Sequence, residues 1–497
     1  MQDMSAGAIA EQPANDLHTG WTKQVVGYVA ILILVNVMVD TVLASPTFVL
    51  PELSRAFHTK QFAWIDSSAM LAGATWAPLL GKSADIHGKR RVLVLTLIVA
   101  GLGGIVCLVA PHISIFVLGR VLQGAAVAAL FLTVAIIRDI CAPKFSMVVT
   151  GIVTSGSAVF GIVSPFILEW ATDEFGWKFV FVVSAVFAGV AAFFVRLFIP
   201  NSRIRTPGKI DVAGALTLGG GLACVLAYIS LGQDFGWLGA PLASLVVGAA
   251  ALLTWYFLLS RIPEPVIDIR GISVVLGLGL LVVVMGTGAY RSMLQLFSLL
   301  IDVSPDEGLG YGIAGPGALG LMFGIPSIGI MLGGVIAGQI AARIGPAWPL
   351  AAGLALGTTA SFVMFTVGAD NLAIAVTCSF MLSLTAGSLV TSGFNLASVL
   401  APPERQGTVS SMVMVMVAVG SVTLSFTGSA ILGANEIVHD GDTVNSSAGV
   451  HAYIAMAGCA FIFAAVPMLL LLKKMRNYVA SEVPVELTYE GVEHANG

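Results

Sequence analysis

The chain has 497 residues, 57% of them hydrophobic and only 10% charged, with a formal net charge of −4 at neutral pH. A soluble domain carries about 25% charged residues, so a surface built to face water is excluded, and the near-neutral balance offers no electrostatic footprint for a nucleic acid. Mean hydropathy is +0.95, and apolar runs longer than ~18 residues recur along the whole length, the signature of membrane-spanning helices.

In chain order, residues 1–24 are polar and lack a basic start before an apolar core, so they read as a cytoplasmic tail and not as a cleaved signal. Fourteen candidate spans follow, at 25–50, 62–81, 92–110, 112–137, 147–170, 176–199, 211–231, 238–260, 272–296, 311–341, 347–368, 372–397, 407–433 and 449–472. Helix is the only sensible assignment, because backbone groups in lipid must bond within their own segment and the ~10-residue alternation of a membrane barrel is absent. The economical layout is an N-terminal six-helix half (25–199), a linker with two additional helices (200–271), a C-terminal six-helix half (272–472) and a second cytoplasmic tail (473–497). Cys107, Cys141, Cys224, Cys378 and Cys459 form neither a CxxC pair nor a disulfide framework and read as small packing residues.

Charge sets the orientation. With the N-terminus in the cytoplasm, the tails and even-to-odd loops hold eighteen Lys and Arg, the opposite side holds Arg55, Lys60 and Lys178, and Arg120 and Arg291 lie inside spans. The positive-inside rule therefore places both termini in the cytoplasm. The densest cluster is GKSADIHGKRR, residues 81–91, between spans 2 and 3. Shifted by 257 residues it lies on GQIAARIGPAW, pairing Gly81 with Gly338, Ala84 with Ala341 and Gly88 with Gly345. Parallel repeats of this kind are a transporter architecture, with the site at the midplane between halves.

The frame Gly81-x-x-x-Asp85-x-x-Gly88-Lys89-Arg90-Arg91 resembles the loop signature of the Major Facilitator Superfamily. Its glycines permit a tight helix reversal. Asp85 is expected to cap the following helix or to pair with a basic residue nearby, latching the inward-closed state. VMVDTVLASP is similar to the first-helix motif of the superfamily's fourteen-span drug:proton antiporter branch at Asp40, Thr41 and Val42, with Pro46 earlier than that motif places its proline. GRVLQG matches the fourth-helix motif at Arg120, Gln123 and Gly124. SPFILEWATDEFGWKF resembles the end of the fifth-helix antiporter motif at Pro165, Gly176 and Trp177, but Ser164, Leu168 and Glu169 stand where glycines are expected. The resemblance implies an all-α, major-facilitator-type fold of two six-helix halves with two extra helices between them. It implies proton-coupled export of lipophilic or cationic amphipathic compounds from a plasma membrane, with protons and a small lipophilic molecule as partners and the chain working as a monomer. Export of one specific metabolite, antibiotic or lipid, or a sensor or scaffold that has lost transport, are the alternatives.

Ionisable groups at span depth are costly, commonly ~2.5–3.5 kcal/mol each, and are functional candidates by default. At 1.5 Å per residue Asp40 lies roughly 15 Å deep and Arg120 roughly 12 Å deep, on helices that face one another in this fold, so the two are expected to act together in proton coupling. Glu169 sits near the outer end of span 5 as a further carboxylate, and Asp66 reads as a helix-start cap. Arg291, Asn395 and Met414 are expected to line the substrate cavity; methionine suits promiscuous surfaces because it repacks. No Walker loop, zinc motif or nucleophile triad is present, so no enzyme activity, metal or cofactor is expected and pumping would draw on an ion gradient.

A topology experiment follows from the charge split. Cysteines placed in the 200–210 loop and at residue 480 should react with impermeant thiol reagents only after permeabilisation. Labelling of either in intact cells would show the orientation to be wrong.

Overall fold

The computed structural model describes residues 17–49, 53, 56–57, 62–202, 211–259, 261, 273–301, 310–313, 320–401, 405–439 and 442–481. Within its helices, the side chains of Asp66, Pro165 and Glu169 lie outside what is described. So do several of the counted loop cations: Arg55, Lys60, Arg203, Arg205, Lys209 and Arg270.

The N-terminal half is built from α1 (Lys23–Phe48), α2 (Phe62–His87), α3 (Lys89–Val109), α4 (Ile113–Gln123) running through a short 3-10 turn into α5 (Val127–Ile140), α6 (Pro143–Gly156), α7 (Ala158–Phe175) and α8 (Phe179–Phe198). The extra pair is α9 (Val212–Phe235) and α10 (Pro241–Leu259). The C-terminal half comprises α11 (Val274–Ile301), α12 (Ile325–Ile344) preceded by a π turn at Gly320–Gly324, α13 (Ala347–Thr366), α14 (Leu372–Leu400), α15 (Gln406–Gly433) and α16 (Ser447–Ser481). Among the described residues the strands are a single hairpin, β1 (Glu436–His439) against β2 (Asp442–Asn445), which the sequence reading did not anticipate.

Among the described residues, thirteen helical stretches are long and apolar enough to cross a membrane. Their sequence explains their exposure. On α3, Leu95, Ile98, Leu102, Ile105 and Val109 are exposed at spacings of three and four, one lipid-facing stripe, while Leu93, Leu97 and Ala100 on the other face are buried. With no water to drive them together, helices in lipid associate through close packing of small residues, and α6 meets α12 in that way. A Cβ on Gly151 would run into the Gly334 carbonyl, and one on Gly338 into the backbone of Met147 and Gly151.

Two helix breaks depart from the expected spans. The expected span 4 is divided by the turn at Gly124–Ala126, and the expected span 5 by Ser157 between α6 and α7. The internal repeat is visible in three dimensions. α2 ends at Gly88 and α12 at Gly345, both at positive φ (97° and 91°) where a side chain would be strained. The two halves meet along two seams, α2 against α15 and α12 against α6, and α9 of the extra pair packs over the first of them, touching both α2 and α15.

Candidate functional site

The motif at 81–91 is not a loop. α2 continues through it to His87, so the expected end of the span at residue 81 is corrected, and Gly88 alone makes the reversal into α3. Gly81 therefore serves close approach and not a turn: a Cβ there would meet the Gly407 carbonyl and Ser411 of α15. That contact brings Asp85 to the first turn of α15. Its Oδ1 accepts from the Gly407 N–H at 2.8 Å, and its Oδ2 from the Thr408 N–H at 2.9 Å and the Thr408 hydroxyl at 2.7 Å. Asp85 thus caps neither α3 nor a basic neighbour, as expected from the sequence, but a helix of the opposite half. The first N–H groups of α15 have no intrahelical acceptor and carry the positive end of the helix dipole, which suits a carboxylate. In the C-terminal half Ala342 follows Ala341 where Asp85 follows Ala84, so the pseudo-symmetric α12–α6 seam lacks the carboxylate.

The basic residues of the motif serve the N-terminal half. Lys89 is 1% exposed and its Nζ pairs with Asp139 at the end of α5; its backbone N–H donates to Ser202 Oγ at 2.9 Å. Arg90 Nη1 donates to the Ile199 carbonyl at the end of α8 (2.9 Å), and Arg91 is exposed. Asp139 escaped the sequence reading, although a carboxylate closing an apolar run opposite a basic cluster was a usable signal.

The fourth-helix motif ties three helices. Arg120 is fully buried; its Nη1 donates to the Val42 carbonyl of α1 at 2.8 Å and to Gln123 Oε1 at 2.7 Å, and its Nη2 to the Leu43 carbonyl at 3.4 Å. Pro46, inside α1, has no N–H to give Val42, and Arg120 supplies the missing donor. Gln123 Nε2 donates to Ser184 Oγ of α8 at 3.2 Å, and Gly124 lies against the Ala69 carbonyl and Ala72 of α2 with no room for a Cβ.

Asp40 and Arg120 do not form an ion pair among the described residues. The two reach the same stretch of α1, but the ion pair among the described residues is Lys89–Asp139. The Arg120 guanidinium is turned to the Val42 and Leu43 carbonyls and to Gln123. Asp40 instead faces the Ser157 hydroxyl at the α6–α7 break. It is exposed between the buried Val39 and Thr41, while α1 packs against α2, α5, α6, α7 and α8, so the carboxylate opens on a gap between helices. Thr41 is occupied within its own helix, donating to the Val37 carbonyl at 2.8 Å.

The remaining expected residues divide. Trp177 packs edge-on against Phe57 and Phe181 (5.9 and 6.1 Å), with Lys178 Nζ 5.6 Å from its ring centre. Glu169 and Pro165 belong to α7, their side chains outside the described set. Arg291 is exposed on α11. Asn395 and Met414 do not line an open cavity in this conformation: Asn395 is fully buried with its Nδ2 3.4 Å from the Met147 carbonyl of the other half, and Met414 is 6% exposed. The halves are closed on each other at that level, which also brings Thr154 Oγ1 within 2.9 Å of Thr391 Oγ1.

The family model for the Major Facilitator Superfamily matches residues 29–425. The chain belongs to that superfamily. Among similar proteins, multidrug resistance protein 3 of Bacillus subtilis is 26% identical over 42% of this chain and 41% of its own length. A triacylglyceride transporter of Mycolicibacterium hassiacum is 29% identical over 65% and 61%, and multidrug resistance protein Stp of Mycobacterium tuberculosis 25% identical over 78% and 71%. The chain spans about two fifths of the length of the first of these relatives. Of solved structures, a human organic anion transporter superposes with a TM-score of 0.62 at 16% identity, covering 90% of this chain and 99% of its own. A proton:xylose symporter does so with a TM-score of 0.60 at 15% identity, covering 90% and 95%. These likenesses carry the fold: an all-α, membrane-spanning protein of the major facilitator type.

Two mutational outcomes are expected from the geometry. Asp85→Asn should leave the protein inserted but impair transport, since an amide nitrogen must then face a backbone N–H; spin labels at 82 and 405 should read a wider α2–α15 separation, and an unchanged distance with normal transport would reduce Asp85 to a passive cap. Arg120→Ala should cost about 1–3 kcal/mol of thermal stability by stranding the Val42 carbonyl. Pro46→Ala in the same chain should recover part of that loss by restoring a backbone donor, and strict additivity of the two changes would refute the link.

Proposed function

We propose that this protein is a proton-coupled secondary transporter that exports lipophilic or cationic amphipathic small molecules across a plasma membrane by alternating access. The observation that carries the reading is Asp40, an exposed carboxylate at span depth beside a break in the fifth span, with the nearby cation already committed elsewhere. A carboxylate so placed can take up a proton when its gap opens to one side of the membrane and release it on the other. Burial and neighbouring charge set when it does so.

The remaining features fit this cycle. With the basic residues held in the cytoplasm, α2 supplies the fourteenth span and both termini are cytoplasmic. The Asp85–α15 contact then closes the cytoplasmic side, and breaking it is the step that lets cargo enter from within. Several relatives bear multidrug resistance names, which supports breadth of cargo. The relative named as a triacylglyceride transporter supports a second reading in which the cargo is a neutral lipid. Transfer of labelled triacylglycerol between vesicles separates the two. We take the working unit to be the monomer, since the gap at Asp40 is formed by helices of one chain.

The deciding experiment is Asp40→Asn in proteoliposomes. The substitution keeps the side chain's size but cannot carry the proton, so transport driven by a pH gradient should collapse while binding of neutral compounds survives. Cationic compounds should also bind less well. Undiminished coupled transport in a well-inserted variant would remove Asp40 from the mechanism, and Glu169 would be the next carboxylate to test.

A further inference from the structure

The fifth span would be continuous but for Ser157. In an unbroken helix the Ser157 N–H would donate to the Val153 carbonyl four residues back; here it turns to Ser155, and α6 ends at Gly156. The Val153 oxygen accepts instead from Asn36 Nδ2 of α1 at 2.8 Å. Asn36 is fully buried and its Oδ1 has no partner, so an amide is kept in the core with its acceptor oxygen unused. An apolar residue of the same shape would avoid that cost, which asks what the amide is for.

Asn36 and Asp40 are four residues apart and share one face of α1. Both address the same break: the amide takes the Val153 carbonyl, and the carboxylate faces the Ser157 hydroxyl. We propose that Asn36 is a positioning residue for Asp40, holding the fifth span interrupted at Ser157 so that the Ser157 hydroxyl is presented to the carboxylate. The proposal rests on Asp40 being the coupling site. Without the amide, the Val153 carbonyl would draw the Ser157 N–H back into a regular turn, and the hydroxyl would rotate away around the helix. Other charges facing α1 do not share this task. Arg120 of α4 is bound to Val42 and Leu43, Arg138 and Asp139 lie at the far end of α5, and Glu174 lies at the last turn of α7. The side chains of Asp66, Glu169 and Asp173 are outside the described set.

The test uses the full chain in proteoliposomes with ethidium, an aromatic cation, as probe. Two rates are measured: uptake driven by a pH gradient, and counterflow exchange without one. Asn36→Leu should lower gradient-driven uptake at least about fivefold, the scale of coupling between linked sites, while counterflow stays near wild type. Asn36→Gln, which keeps a donor, should restore much of the loss. Ser157→Ala should reproduce the split, and the double variant should be no worse than either single one. Equal loss of both rates in Asn36→Leu would make the residue merely structural and overturn the proposal. Wild-type coupling in Asn36→Leu alongside an uncoupled Asp40→Asn would overturn it while leaving the coupling site intact; normal coupling in Asp40→Asn would remove the coupling site and the proposal together. Should Asn36→Leu fail to insert, Ser157→Ala decides: a selective loss of coupling supports the proposal, and an unchanged ratio sinks it.

Discussion

Inside a bilayer-spanning bundle, a backbone N–H or C=O that loses its helical partner must find another within the protein, and the functional geometry of this chain is organised around three such places. Pro46 frees the Val42 carbonyl and Arg120 takes it. The interruption at Ser157 frees the Val153 carbonyl and Asn36 takes it. The start of α15 leaves unpaired N–H groups, and Asp85 accepts from two of them. Each repair is made by a polar side chain from a different helix, so each doubles as a tie between elements.

The ties differ in kind. Arg120 and Gln123 bind α4 to α1 and α8 within one half, making a rigid unit. Asp85 crosses between halves and holds a helix end by charge-assisted bonds that water could replace when the seam parts. The other seam, α6 against α12, has glycine backbones in contact and an Ala342 where the carboxylate would be. One side of the interface is therefore bridged by a carboxylate and overlaid by α9, and the other by neutral contacts, Asn395 to Met147 and Thr154 to Thr391.

Buried charge follows the same logic of commitment. Lys89 and Asp139 are paired, since an isolated ion there would cost several kcal/mol, on the order of the desolvation of one charge, and Arg120 is spread over carbonyls. Asp40 is the contrast: exposed between buried neighbours and facing a hydroxyl.

The sequence by itself determined the class of fold, because hydropathy reports the solvent and a bilayer tolerates little besides helices. It also marked Asp40, Asp85, Arg120, Gln123 and Gly124 as unusual, since charge or close glycine at span depth has few bland explanations. What it could not supply was partners. Asp85 meets Thr408 some 323 positions away, and no local pattern encodes that neighbour. Asp40 and Arg120 share a depth and opposite sign, yet the proline four residues after Val42 redirects the guanidinium to a carbonyl. Asn36 and Ser157 carried no motif at all; an amide in an apolar run looks like packing until the break it repairs is seen. Only the tertiary structure decides such pairings, because an unsatisfied backbone group belongs to one helix and its repair to another.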